Sequence, residues 1–269
     1  MADGVPHAQS LDFSIGRVFS RAFGTIAANP LAALGIAFLF GALPSEAYYY
    51  ASAGLLGRPS APTALETGLI LVAEGLIQMM AGMILSNIFC GAFVGLVVAQ
   101  EEGRRPSFVD TSLAGLRALF PLLILSLITG VGTMLGFILL VVPGIFLSLM
   151  WTAAPAVLVA ERCGVFAALG RSRRLAAGAW GEIFAVNILV GVATLAFGYL
   201  VGWVTTVLGG EADIVRIAQQ PLPIMSLSVQ FLTGTIATVF AAAVNTSIYV
   251  ELRNWKHGTP DETLAEIFA

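Results

Sequence analysis

The chain has 269 residues, of which 58% are hydrophobic and 11% charged, with a formal net charge of −3 and a mean hydropathy of +0.90. A soluble domain carries roughly 25% charged residues, so too little polar surface is left here to coat a water-facing globule. Several continuously apolar runs approach about 20 residues, enough to cross a hydrocarbon core about 30 Å thick as helix, and their lack of alternation excludes a β-barrel. The expected fold class is all-α: a polytopic membrane protein with six transmembrane helices and about three amphipathic interfacial helices.

Residues 1–10 are polar and are expected to form a disordered tail, without the apolar region and cleavage site of a secretory signal. Asp12 or Ser14 can cap the helix that follows. Ile15, Val18, Phe19, Ala22, Phe23 and Ile26 recur at the spacing of one helix face, with Arg17 and Arg21 off it. The expectation is a helix in the membrane interface, aromatics in the acyl boundary and arginines among headgroups. Asn29-Pro30 breaks the chain, and the first span covers about 31–50. Its outer end is marked by Pro44, Glu46 and the interfacial aromatics Tyr48, Tyr49 and Tyr50. A Gly/Pro loop follows at 54–63.

The second span lies in the run 65–99, whose charge-free part, 75–98, is the expected crossing. Glu74 then falls near the outer interface. A second amphipathic segment opens at Pro106-Ser107 and is expected to end at Pro121, with Val109, Leu113, Leu116 and Phe120 on one face and Arg117 off it. The third span runs on to 142, and Pro143-Gly144 reads as a tight turn into a short fourth span at 145–160. A third amphipathic segment covers about 163–179, with Arg171 and Arg174 away from its less polar face. The fifth span is 183–208, a polar loop covers 211–220, and the sixth span is 224–250. Trp255 sits at the expected headgroup level and 257–269 form a short tail.

Arginine and lysine set the topology. Arg17, Arg21, Arg104, Arg105, Arg117, Arg162, Arg171, Arg173, Arg174, Arg253 and Lys256 fall in one set of loops, and only Arg58 and Arg216 in the other. The positive-inside rule makes the first set cytoplasmic, which places both termini inside a bacterial inner membrane. One membrane domain, 11–256, is expected. An aromatic residue (Phe13, Phe108, Phe166) opens a basic amphipathic stretch three times, each followed by two apolar spans, which suggests a threefold internal repeat with units near 11–100, 106–160 and 164–256.

No catalytic motif stands out, and the two cysteines, Cys90 and Cys163, lack metal-ligand spacing. His7 and His257 lie in the tails. No cofactor, metal, nucleic acid or enzymatic activity is expected. The polar residues within spans are Gln78, Asn87, Thr129, Thr133, Asn187, Gln230 and Asn245. Asn87, Asn187 and Asn245 are the candidate intramembrane polar pocket; the competing reading is three interhelical hydrogen bonds worth about 0.6 to 2 kcal/mol each. Arg17, Arg21, Arg171, Arg173 and Arg174 are the candidate anionic-lipid contacts, each gaining about 1 kcal/mol near an anionic leaflet. Gly91/Gly95, Gly132/Gly136 and Gly198/Gly202 are small-xxx-small pairs that let helices approach closely.

Pro143-Gly144-Ile145, Ala154-Pro155-Ala156-Val157, Glu161, the stretch Ala168-Leu169-Gly170-Arg171-Ser172-Arg173-Arg174-Leu175 with Gly178, and NTSIYVELR from Asn245 to Arg253 carry a resemblance. They resemble the bacterial glycerophosphoryl diester phosphodiesterase membrane-domain family and its YciC-like relatives. The resemblance implies a six-span inner-membrane module, fused in some relatives to a soluble phosphodiesterase domain that this sequence does not show; it carries over no functional residue. The expected function is an accessory, scaffold or lipid-interacting membrane module, with the bilayer, anionic phospholipid and a membrane protein as partners. The alternative is a small-solute or lipid transporter with a polar intramembrane pocket.

Overall fold

The computed structural model describes residues 13–43, 63–104, 107–209 and 224–257, all of them in helices or short connections. The expected tails, the aromatic belt at 48–50, the loop at 54–62, and the polar segment 211–223 lie outside the described residues. So does the outer part of the first span.

Helix α1 spans Ile15–Ala28. Val18, Ala22 and Thr25 on it are buried, and Phe19 and Phe23 lie against Phe240 with ring centroids 6.2 and 5.6 Å apart. This corrects the interfacial expectation: the apolar face of α1 is taken up by protein, and of its ring residues only Phe23 remains exposed. Helix α2, Pro30–Ala37, leaves α1 at 93° and runs into a π-helical turn, Phe38–Ala42. Proline opens a helix without penalty because the first N–H groups have no intrahelical acceptor.

Helix α3 is one unbroken rod, Ala64–Glu101, about 57 Å long at 1.5 Å per residue. Thr63 and Glu66 close a capping box at its start. Leu69, Leu76 and Met80 in its first half are exposed, whereas Phe89, Phe93 and Leu96 in the second half are buried. Glu74 is half-buried. Helix α4, Phe108–Leu139, is also continuous and contains Pro121. The expected break at Pro121 does not occur, so the second amphipathic segment is the first turns of α4. Proline removes one donor, but Leu122 and Leu125, fully buried just beyond it, hold the helix in line. A Cβ on Gly91 would meet the Gly115 Cα at 3.0 Å, and one on Gly115 would strike the Ile88 carbonyl oxygen. Glycine on both sides is therefore what lets α3 and α4 pack backbone to backbone.

The turn after α4 is the single residue Leu140, in extended conformation (φ −166°, ψ 148°), and α5 begins at once, Val141–Trp151. Pro143-Gly144 lies inside the first turn of α5 instead of forming the turn itself. Pro143 needs no acceptor for an N–H there, and a Cβ on Gly144 would sit 2.5 Å from the Phe137 ring. The span then breaks: α6, Ala154–Ala160, starts after Thr152-Ala153, and Pro155 has no N–H to give the Trp151 carbonyl.

Helix α7, Val165–Ala176, buries Ala168, Ser172, Leu175 and Ala176. Gly178, at φ +94°, reverses the chain into α8, Trp180–Gly209; a Cβ there would be strained and would meet Trp255 at 3.1 Å. Helix α9, Ile224–His257, closes the bundle. Among the described residues five segments are long and apolar enough to cross a membrane, Gly68–Glu101, Phe108–Leu139, Val141–Ala160, Trp180–Val204 and Phe231–Lys256, and counting the bent α1–α2 pair as one span gives six.

The largest buried side chains, among them Phe93, Leu96, Leu175, Ile183, Ile248, Tyr249 and Leu252, gather where α3 and α9 end, beside α1, α6 and α7. At Gly198, by contrast, an added Cβ would meet nothing within 4 Å. Gly115→Ala is expected to push α3 and α4 apart and cost about 1–3 kcal/mol, while Gly198→Ala leaves stability level or slightly raised. Thermal unfolding of both variants in detergent checks the pair; equal melting temperatures would contradict the close crossing.

Candidate functional site

Two polar constellations interrupt the apolar bundle. The first is ionic and lies where α1 meets the end of α9. The Glu251 side chain is only 3% exposed. Its Oε1 accepts from Arg17 Nε at 2.6 Å and from the Ser14 N–H at 3.3 Å, and its Oε2 accepts from an Arg21 guanidinium nitrogen at 3.2 Å. Arg21 also reaches Glu101 at the end of α3, at 3.7 Å. A buried carboxylate is tolerable when its lone pairs are filled by charged donors in this way. Nearby, Asn29 donates to Gln100 at 3.3 Å, tying the α1–α2 elbow to α3.

A second acidic centre lies at the end of α6. Glu161 pairs with Arg171 of α7 at 3.3 Å and accepts from the Tyr249 hydroxyl at 3.4 Å. Arg253 sits over the Tyr249 ring, 5.8 Å from its centroid. Lys256 donates to the Ala177 carbonyl at 2.8 Å, and Ser172 donates to the Met150 carbonyl at 2.8 Å. These contacts bind α6, α7 and α9 into one block. Of the candidate lipid-contacting arginines, Arg17, Arg21 and Arg171 are thus engaged with carboxylates, whereas Arg173 and Arg174 are exposed with no ion pair among the described residues.

The second constellation is uncharged. A cavity of about 420 Å³ lies between α3, α4, the α5–α6 break, α8 and α9. Asn187 and Asn245 both line it; Asn87 does not. The Asn87 amide is spent across the α3–α4 contact, its Oδ1 accepting from Ser126 Oγ at 2.6 Å and its Nδ2 donating to the Met83 carbonyl at 2.7 Å. Asn187 donates to the Ile183 carbonyl of its own helix at 2.8 Å. Asn245 is exposed to the cavity and makes no hydrogen bond with the described residues. The three asparagines therefore divide into one interhelical bond and two pocket-facing amides.

Hydroxyls complete the lining. Thr129 donates to the Leu125 carbonyl at 2.9 Å and Thr133 to the Thr129 carbonyl at 2.7 Å, both on α4. Ser148 donates to Ile145 at 2.7 Å and Thr152 to Ser148 at 2.8 Å, beside the helix break. Thr246 of α9 donates to Ala242 at 2.9 Å. Glu251, Ser126, Ser148, Thr152 and Thr246 were not among the candidates. A signal was present for some: Ser126, Thr129 and Thr133 recur at one-face spacing, as do Ser148 and Thr152. Among the described residues no group of three or more His, Cys, Asp and Glu could hold a metal.

The helices and these buried polar groups define a polytopic helical membrane protein. Within that class the sequence pattern of the uncharacterised protein family UPF0259 matches residues 63–209, and the chain belongs to that family. A UPF0259 membrane protein of Photorhabdus laumondii is 33% identical over 107 residues, 40% of this chain and 42% of the relative. One of Pectobacterium carotovorum is 31% identical over 98 residues, 36% and 39% respectively, and one of Yersinia pestis 26% over 111 residues, 41% and 43%. The chain thus spans about two-fifths of the length of the curated relatives it matches. No solved structure matches. The family is uncharacterised and its members carry no enzymatic name.

Two outcomes test the ionic end. Glu251→Gln weakens two charged hydrogen bonds, one of them to an arginine 43% exposed, so a loss of about 2 kcal/mol is expected, below the 3–5 typical of a fully buried pair. A melting temperature unchanged from the parent would contradict this. The Cys163 thiol, outside the spans, is pushed up by burial and then by the Glu161 carboxylate. A raised thiol pKa leaves less thiolate at neutral pH, so Cys163 is expected to alkylate slowly, and Glu161→Gln to speed it. Mass-spectrometric maleimide labelling at fixed pH reads the difference.

Proposed function

We propose that the protein is a lipid-interacting membrane module of a bacterial cytoplasmic membrane, with the basic end of the bundle and both termini on the cytoplasmic side. The observation that carries this reading is the outer face of α7. Phe166 is 79% exposed there, and Arg173 and Arg174, two turns further on, flank the same face without an ion pair among the described residues. An aromatic ring two turns before a pair of arginines suits the boundary of an anionic leaflet, ring toward the acyl chains and guanidinium groups toward phosphates. Arg17, Arg21 and Arg171, engaged with carboxylates, serve mainly to hold the fold.

The distribution of lysine and arginine supports the orientation. The resemblance to the glycerophosphoryl diester phosphodiesterase membrane-domain family and its YciC-like relatives supports a six-span inner-membrane module. The cavity favours a second reading, transport of a small solute or lipid.

The test is native mass spectrometry of the protein released from bilayers of mixed phosphatidylglycerol and phosphatidylcholine. At about 1 kcal/mol per basic residue, Arg173→Gln with Arg174→Gln is expected to lower the preference for retained phosphatidylglycerol by roughly thirtyfold with no change in melting temperature. Unchanged retention sinks the reading.

A further inference from the structure

The hydroxyls around the cavity share a property that bears on what could enter it. Each spends its one proton within the bundle: Thr129, Thr133, Ser148, Thr152 and Thr246 on a carbonyl of their own helix, and Ser126 on the Asn87 amide oxygen. A hydroxyl has one donor and two acceptor lone pairs. What remains for the cavity is therefore almost wholly acceptor. Asn187 gives one of its two Nδ2 hydrogens to the Ile183 carbonyl and keeps its carbonyl oxygen and one N–H. Asn245 is the exception, with a whole amide uncommitted among the described residues. Among the described residues no carboxylate, lysine, arginine or histidine lines the space.

We propose that this cavity is a binding site for the hydroxyl-bearing head of an uncharged amphiphile. The ligand must bring donors, because the walls bring acceptors. It must be neutral, because a cation would meet no counter-charge and lose its hydration, and an anion would face lone pairs. It must be compact in its polar part, since about 420 Å³ holds a single sugar or polyol head. Its remainder should be apolar, because the site lies about 10 Å along α8 from Trp180 and about 15 Å along α9 from Trp255, at acyl depth. Cys90, Val94, Trp151 and Pro155 supply the apolar part of the lining. The Asn245 amide, otherwise unsatisfied where lipid offers no partner, donates to and accepts from the same head. This site is separate from the outer face of α7, and the inference does not rest on that reading.

The experiment is native mass spectrometry of the full chain in an amine-oxide detergent, which carries no hydroxyl donor. The protein is titrated with monogalactosyl dioctanoylglycerol and with the same lipid after acetylation of every hydroxyl. The free glycolipid is expected to bind at least about tenfold more tightly than the acetylated one. Thr152→Val and Asn245→Leu together should weaken it by about tenfold while the melting temperature stays with the parent, and Thr129→Val alone, conserving shape, should weaken it less. Arg173→Gln with Arg174→Gln should leave this binding unaltered, whatever it does to phosphatidylglycerol. Equal binding of free and acetylated lipid, parental affinity in the Thr152/Asn245 variant, displacement by octylammonium at matched concentration, or loss of binding in the arginine variant would each overturn the proposal.

Discussion

Hydrocarbon offers no hydrogen-bond partner, and most of what is distinctive in this bundle follows from that one constraint. Thr129, Thr133, Thr152 and Thr246 return their protons to their own helices. Asn87 finds Ser126 across the α3–α4 contact. Such bonds are worth little individually, about 0.6 kcal/mol on average, but an unmade one costs more than that. Polar groups left over are therefore informative: besides the side-chain oxygens of Ser112, Ser247 and Asn254, buried elsewhere in the bundle, the Asn245 amide is left over at the cavity between the broken α5–α6 span, α8 and α9.

The same absence of water removes the hydrophobic drive between helices, so contact must come from fit. Gly91 against Gly115, and Gly136 with Gly144 against Phe137, bring backbones and rings within van der Waals reach. Where the glycines face open space, as at Gly191 and Gly198 on α8, the helix is loosely attached. That contrast explains why the tight part of the bundle is the α3–α4–α5 side and why a cavity opens toward α8.

Much of this was legible from composition and spacing. The apolar runs mark the spans, and the arginines mark one end of them. The turn chemistry was less legible. Pro121 and Pro143-Gly144 carry strong local signals, yet α4 runs through the first and α5 begins before the second, because burial of Leu122 and Leu125 and the close fit at Gly144 outweigh one missing donor. Within the candidate site, Asn187 and Asn245 could be picked as polar residues in apolar runs. That they share a cavity while Asn87 does not depends on how α8 and α9 tilt against α3, which no local pattern encodes. The partners of Arg17 and Arg21 were equally hidden: Glu251 lies 234 and 230 residues further along.

That sequence distance has a consequence for how the protein is made. Arg17 and Arg21 emerge from the ribosome 234 and 230 residues before Glu251, the carboxylate they share. Until α9 is in place, the first helix lacks Glu251 and Phe240, and Arg21 has Glu101 of α3. The contact between α1 and α9 thus closes only after α9 has been made. A nascent chain halted before Glu251 would present an unsealed bundle whose Arg17 and Arg21 lack the Glu251 carboxylate, a state that membrane quality control could distinguish from the finished fold.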